Sequence, residues 1–148
     1  MRALRSVLVV LLALYTLSAA APLAMTLGAR LGAYRPGDRL MQALMDATST
    51  PVLVTWAAAV LLYVLSLVLL VSRNRSGLMA LVLAWVLDLA VLLMMQGRPE
   101  YKAYFSPGEQ QVTWWLLATV LVIAVGFWRT DVDRRRSRAT PRSPVALT

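Results

Sequence analysis

Apolar residues fall in four long runs along this chain: Val7 to Leu27, Pro51 to Val71, Leu78 to Met95 and Val112 to Trp128. Every charged residue except Asp88 lies between or beyond them. Each run is close to the ~20 residues with which a helix crosses a ~30 Å hydrocarbon layer. A helix also pairs its backbone N–H and C=O groups within one segment, as lipid requires. The pattern therefore predicts an all-α integral membrane protein. Four transmembrane helices, at 7–28, 51–71, 78–96 and 112–128, are expected to form an antiparallel bundle as one domain over 1–128.

The first run has a second reading. Met1 to Ser6 is basic, Val7 to Leu17 is an apolar core, and Ser18-Ala19-Ala20 is a small-residue site, the grammar of a cleaved secretory signal. Against cleavage, the apolar run continues to Leu27, and Pro22 lies close behind the cut.

The connections carry signals of their own. Ser72 to Gly77 is tight, so the second and third helices are expected to be antiparallel neighbours. In the first long loop, Arg35-Pro36-Gly37 is turn chemistry and Asp38 reads as an N-cap. A short amphipathic helix from Arg39 to Ala47 follows, with Leu40, Met41, Leu44 and Met45 on one face. It is read as an interfacial helix, or as a lid or docking surface. Pro51 suits the first turn of the next helix. The second long loop, 96–111, places Tyr101, Tyr104 and Phe105 between two turns, as an interfacial anchor or the mouth of a ligand site. Small residues recur every four positions at Thr16, Ala20, Ala24 and Gly28, and again at Ala80 and Ala84; such faces are expected to meet other helices.

Composition narrows the chemistry. Hydrophobic residues make up 59% of the 148, above the ~45–50% of a soluble domain. There is no cysteine and no histidine. That removes disulfides, thiolate catalysis, Cys-ligated metals, imidazole-ligated haem and His-based acid–base schemes. Asp38, Asp46, Glu100 and Glu109 are scattered over loops without metal-like spacing, so no metal, no cofactor and no enzymatic activity are expected.

The net charge of +8 is distributed about the apolar runs. Ten basic residues lie at the N-terminus, in the 72–77 connection and after 128; five lie in the two long loops. The positive-inside rule puts both termini in the cytoplasm, with the chain in the plasma (inner) membrane. The tail, 129–148, is expected to be disordered. Its Arg134, Arg135, Arg136 and Arg138 are read as contacts for anionic lipid headgroups. No aromatic residue interleaves them, and no nucleic-acid partner is expected.

Asp88 is the polar residue that needs a reason. At 1.5 Å per residue it lies about 15 Å from the start of its run, mid-membrane. An acid there costs about 2.5–3.5 kcal/mol on the insertion scale and by default points to function. No Lys or Arg lies at its depth, so the neutral form is favoured. Tyr15, Tyr63 and Thr119 fall about 12–14 Å from the same boundary, and Trp85 is one turn away. Three readings follow: a proton-carrying or substrate-binding acid in a midplane pocket of Tyr15, Tyr63, Trp85 and Thr119; a packing hydrogen bond from Asp88 to Tyr63 or a carbonyl; or a pair with a charged helix of another subunit.

The leading expectation is a non-enzymatic accessory or structural protein, a subunit or partner of a larger membrane complex or a homo-oligomer. The alternative is a small oligomeric proton- or cation-coupled transporter that uses Asp88.

Overall fold

The computed structural model describes residues 2–139, and among them there are helices and no strand. In order they are α1 (Arg2–Arg30), α2 (Arg39–Ala47), α3 (Thr50–Val71), α4 (Ser76–Gln96), α5 (Pro99–Tyr104) and α6 (Pro107–Ala139). Four of them, α1, α3, α4 and α6, are long and apolar enough to cross a membrane.

Local chemistry sets the ends. α1 stops where Gly32 takes a φ of +73°, and the N–H groups of Ala33 and Tyr34 turn back to the Gly28 carbonyl. Asp38 caps α2 by accepting the Leu40 N–H at 3.0 Å. Pro51 occupies the first turn of α3, where its missing N–H costs nothing. Ser106 and Glu109 form a capping box on α6: Ser106 N–H donates to Glu109 Oε2 at 2.8 Å, and Glu109 N–H donates to Ser106 Oγ at 3.3 Å.

Two elements depart from expectation. The aromatic stretch of the second long loop contains a short helix, α5, opened by Pro99. α6 runs on to Ala139, so the backbone over 129–139 is helical where disorder was expected. No Gly or Pro interrupts the chain between Gly126 and Pro141, and a helix once formed propagates easily through residues of good propensity. The remainder of the expected tail, 140–148, lies outside the described residues, as do the side chains of Arg134, Arg135, Arg136 and Arg138.

α3 and α4 share the most extensive packing; α1 lies on α3, and α6 touches both α4 and α1. Close approach at the α3–α4 turn depends on Gly77. A Cβ there would stand 2.9 Å from the Leu70 backbone nitrogen. Ser66 Oγ also donates to the Gly77 carbonyl at 2.9 Å. α1 meets α6 at Gly126, where a Cβ would come within 3.0 Å of Leu8 Cδ1.

One buried cluster joins all four long helices through Leu8, Leu12, Tyr63, Leu81, Val120 and Ile123. A second, Val52, Val91, Leu92, Met95, Tyr101 and Leu117, ties α5 to α3, α4 and α6. Away from these cores, Leu17, Leu61, Met79, Trp115 and Val122 are mostly exposed. Helices apolar both inside and outside suit a hydrocarbon surround.

Arginines fasten the ends. Arg5 donates to the Leu70 carbonyl near the end of α3. Arg98 donates to the Ala47 carbonyl at 2.7 Å and to Ser49 Oγ at 3.2 Å, and Arg30 donates to the Thr48 carbonyl. The last carbonyls of a helix lack intrahelical partners, so cationic donors suit them.

Candidate functional site

Asp88 sits on the inward stripe of α4, in line with the buried Leu81, Ala84, Val91, Leu92 and Met95. Spacings of three and four keep these on one face. Tyr15 of α1 donates its hydroxyl to Asp88 Oδ2 at 2.5 Å. Tyr63 of α3, fully buried, donates to the same oxygen at 3.1 Å. The two phenol rings meet edge to face, with centroids 5.2 Å apart and planes at 70°. Three helices are thus joined through one carboxylate oxygen.

The other oxygen is left over. Asp88 Oδ1 takes no hydrogen bond among the described residues, and no buried side-chain oxygen or nitrogen among them lacks a partner, so Oδ1 is reachable from outside the packed core. Asp88 and Tyr15 are among the residues that line a pocket of about 420 Å³, within the size range of small-molecule sites.

The pocket walls follow helical periodicity. α4 supplies Asp88, Val91, Leu92 and Met95; α1 supplies Tyr15, Ala19, Pro22 and Thr26; α6 supplies Thr113, Leu116 and Leu117. α2 and α5 close over it with Met41, Leu44 and Met45 on one side and Tyr101, Tyr104 and Phe105 on the other. The wall is less polar than its sequence. Ser18, Thr26, Thr48 and Thr113 each give their hydroxyl proton to a carbonyl of their own helix. Burial pushes the phenol of Tyr101 above its ordinary range.

The structure joins Tyr15, Tyr63 and Asp88 by hydrogen bonds; Trp85 packs against the same core without bonding to Asp88, and Thr119 lies apart. Trp85 points to α6, where its indole N–H donates to the Leu117 carbonyl at 3.0 Å. Thr119 is exposed and bonds to the Trp115 carbonyl of its own helix, so it takes no part in the cluster. Its depth matches, but it lies one residue, about 100° of rotation, from the buried Val120. Among the described residues no three His, Cys, Asp or Glu side chains converge as a metal site.

Of the residues expected to line a midplane pocket, Asp88 and Tyr15 line this one and Tyr63, Trp85 and Thr119 do not. The signal for its apolar walls was present in the positions at i+3, i+4 and i+7 from Asp88, and in the apolar face of α2. Comparison with protein-family models, curated proteins and solved structures finds no match to this chain.

Proposed function

We propose that this chain is a multi-pass membrane protein of non-enzymatic type that holds a small amphipathic guest inside its bundle. The carrying observation is that Asp88, with one oxygen not taken by Tyr15 or Tyr63, lines a mainly apolar pocket. Of the two expectations from the sequence, this arrangement favours the one that gives Asp88 a ligand, as in a proton- or cation-coupled transporter.

Within this reading the four long helices cross the plasma (inner) membrane as an antiparallel bundle, with both termini cytoplasmic and the α2–α5 cap outside. The contact of Arg5, at the start of α1, with the end of α3 supports that arrangement. So does the tight connection between α3 and α4. α1 stays attached, since its loss would remove Leu8, Leu12 and Tyr15 from the core. The arginines at 134, 135, 136 and 138 fit anionic headgroups on the cytoplasmic side.

A second reading, an accessory subunit of a larger membrane complex or a homo-oligomer, is favoured by the wide apolar surface around Leu61, Trp115 and Val122, which suits a partner helix as well as lipid. A single cysteine at Leu92 separates the two, because the chain has no other thiol. In a guest-binding protein, Leu92→Cys reacts with a small maleimide and is protected by a bound guest. A site closed by packing reacts at the unfolded rate only after denaturation.

A further inference from the structure

Three features of the pocket bear on what it holds. Asp88 brings a carboxyl group to its wall, and Oδ2 is taken by Tyr15 and Tyr63, which leaves Oδ1 for a guest. No Lys or Arg occurs in any of the four apolar runs, so the protein brings no cation to that level. Most of the remaining lining is apolar and soft, with Met25, Met41, Met45 and Met95 among its residues, and the Ser and Thr hydroxyl protons are donated to backbone carbonyls.

These features complement one class of molecule. An ammonium group supplies the positive charge that Asp88 lacks beside it, so the carboxyl ionises as the ammonium docks, its proton leaving to water, and the N–H donates to Oδ1 in a charge-assisted bond, about twice as strong as a neutral one. In surroundings of low dielectric the attraction is far larger than in water. From Asp88 to Met95 the α4 wall runs about 10 Å, which gives room for a compact hydrocarbon body. Methionines adapt to such bodies because their side chains are unbranched and polarizable. Trp56, Tyr104 and Phe105 add aromatic surface to the lining.

The geometry points to a lipophilic primary ammonium ion as the guest, with its nitrogen on Asp88 Oδ1 and its aryl or alkyl body between α1, α4 and α6. This inference rests on the guest-binding reading above. The cation attraction is local to one carboxyl group, so it separates from simple apolar capture.

The probes are 4-phenylbutylammonium and 4-phenylbutan-1-ol, which share a skeleton and a donor head and differ in charge. Binding of each is measured calorimetrically to the purified full chain in nanodiscs, corrected for empty nanodiscs. The ammonium is expected to bind at least about tenfold more tightly than the alcohol. Asp88→Asn is expected to abolish that preference while leaving the alcohol bound, and Leu92→Trp to block both. Equal affinity for the two probes on the wild-type chain overturns the ammonium assignment and leaves guest binding standing. Failure of the wild-type chain to bind either probe overturns both. The comparison on the wild-type chain holds whether or not the variants fold.

Discussion

Tyr15 and Asp88 are 73 positions apart in sequence, and the hydroxyl of one lies 2.5 Å from the carboxylate of the other. With Tyr63 on the same oxygen, this contact joins α1 and α3 to α4 at the height where the bundle changes from packed core to pocket. Interhelical hydrogen bonds of this kind contribute roughly 0.6–2 kcal/mol in membranes. Tyr15→Phe and Tyr63→Phe are each expected to lower the thermal midpoint of the detergent-solubilised protein modestly. Asp88→Asn keeps an acceptor and should cost no more. Asp88→Leu strands two hydroxyls and should cost most. A scan in which Asp88→Leu matches wild type would remove the structural role of the cluster.

Gly77 tests the α3–α4 contact. The Cβ of Gly77→Ala would stand 2.9 Å from the backbone nitrogen of Leu70, an atom that cannot step aside alone. Overpacking of this sort costs about 1–3 kcal/mol. Gly108 has open space around it, and Gly108→Ala should change stability by less than about 0.5 kcal/mol. Equal melting of the two variants would contradict the close approach.

Arg98 holds the end of α2 through Ala47 and Ser49. Hydrogen bonds to charged groups contribute about 1.5–3 kcal/mol. Arg98→Ala should therefore raise amide hydrogen exchange over residues 39–47 and leave α3 and α4 protected. Uniform exchange across all helices would mean that the arginine supports the whole fold instead of the cap.

Orientation can be read with thiols introduced one at a time into this cysteine-free chain. Gly37→Cys should react with a membrane-impermeant maleimide on intact cells, and Ser72→Cys only after permeabilisation. Both positions are exposed. The opposite pattern would invert the topology drawn from the basic residues.

The long helices were legible because hydrocarbon thickness and backbone pairing leave few alternatives to a run of twenty apolar residues. α2 was legible because Asp38 and the spacing of Leu40, Met41, Leu44 and Met45 mark the same element. α5 was not: Pro99 opens a turn or a helix equally well, and six residues are too few to show a period. The Ser106–Glu109 box was visible as Ser-x-x-Glu and went unread. For the site, counting residues along each apolar run put Tyr15, Tyr63 and Asp88 at one level, and the three are joined by hydrogen bonds. The count also recruited Thr119, because depth carries no information about the direction a side chain faces; Trp85 packs against the same core but gives its indole N–H to α6. The pocket depends on where α2 and α5 settle over α1, α4 and α6, which no single helix encodes.

Gly126 gives the bundle an asymmetry with a practical outcome. Leu8 seats against it, and the buried side chains that tie α1 to α6 gather at that end, while the pocket lies between the same two helices at the other. The pair is arranged like a clothes-peg, sprung at one end and parted at the other. Parting the far end further to admit a guest would leave the spring, and the core it holds, undisturbed.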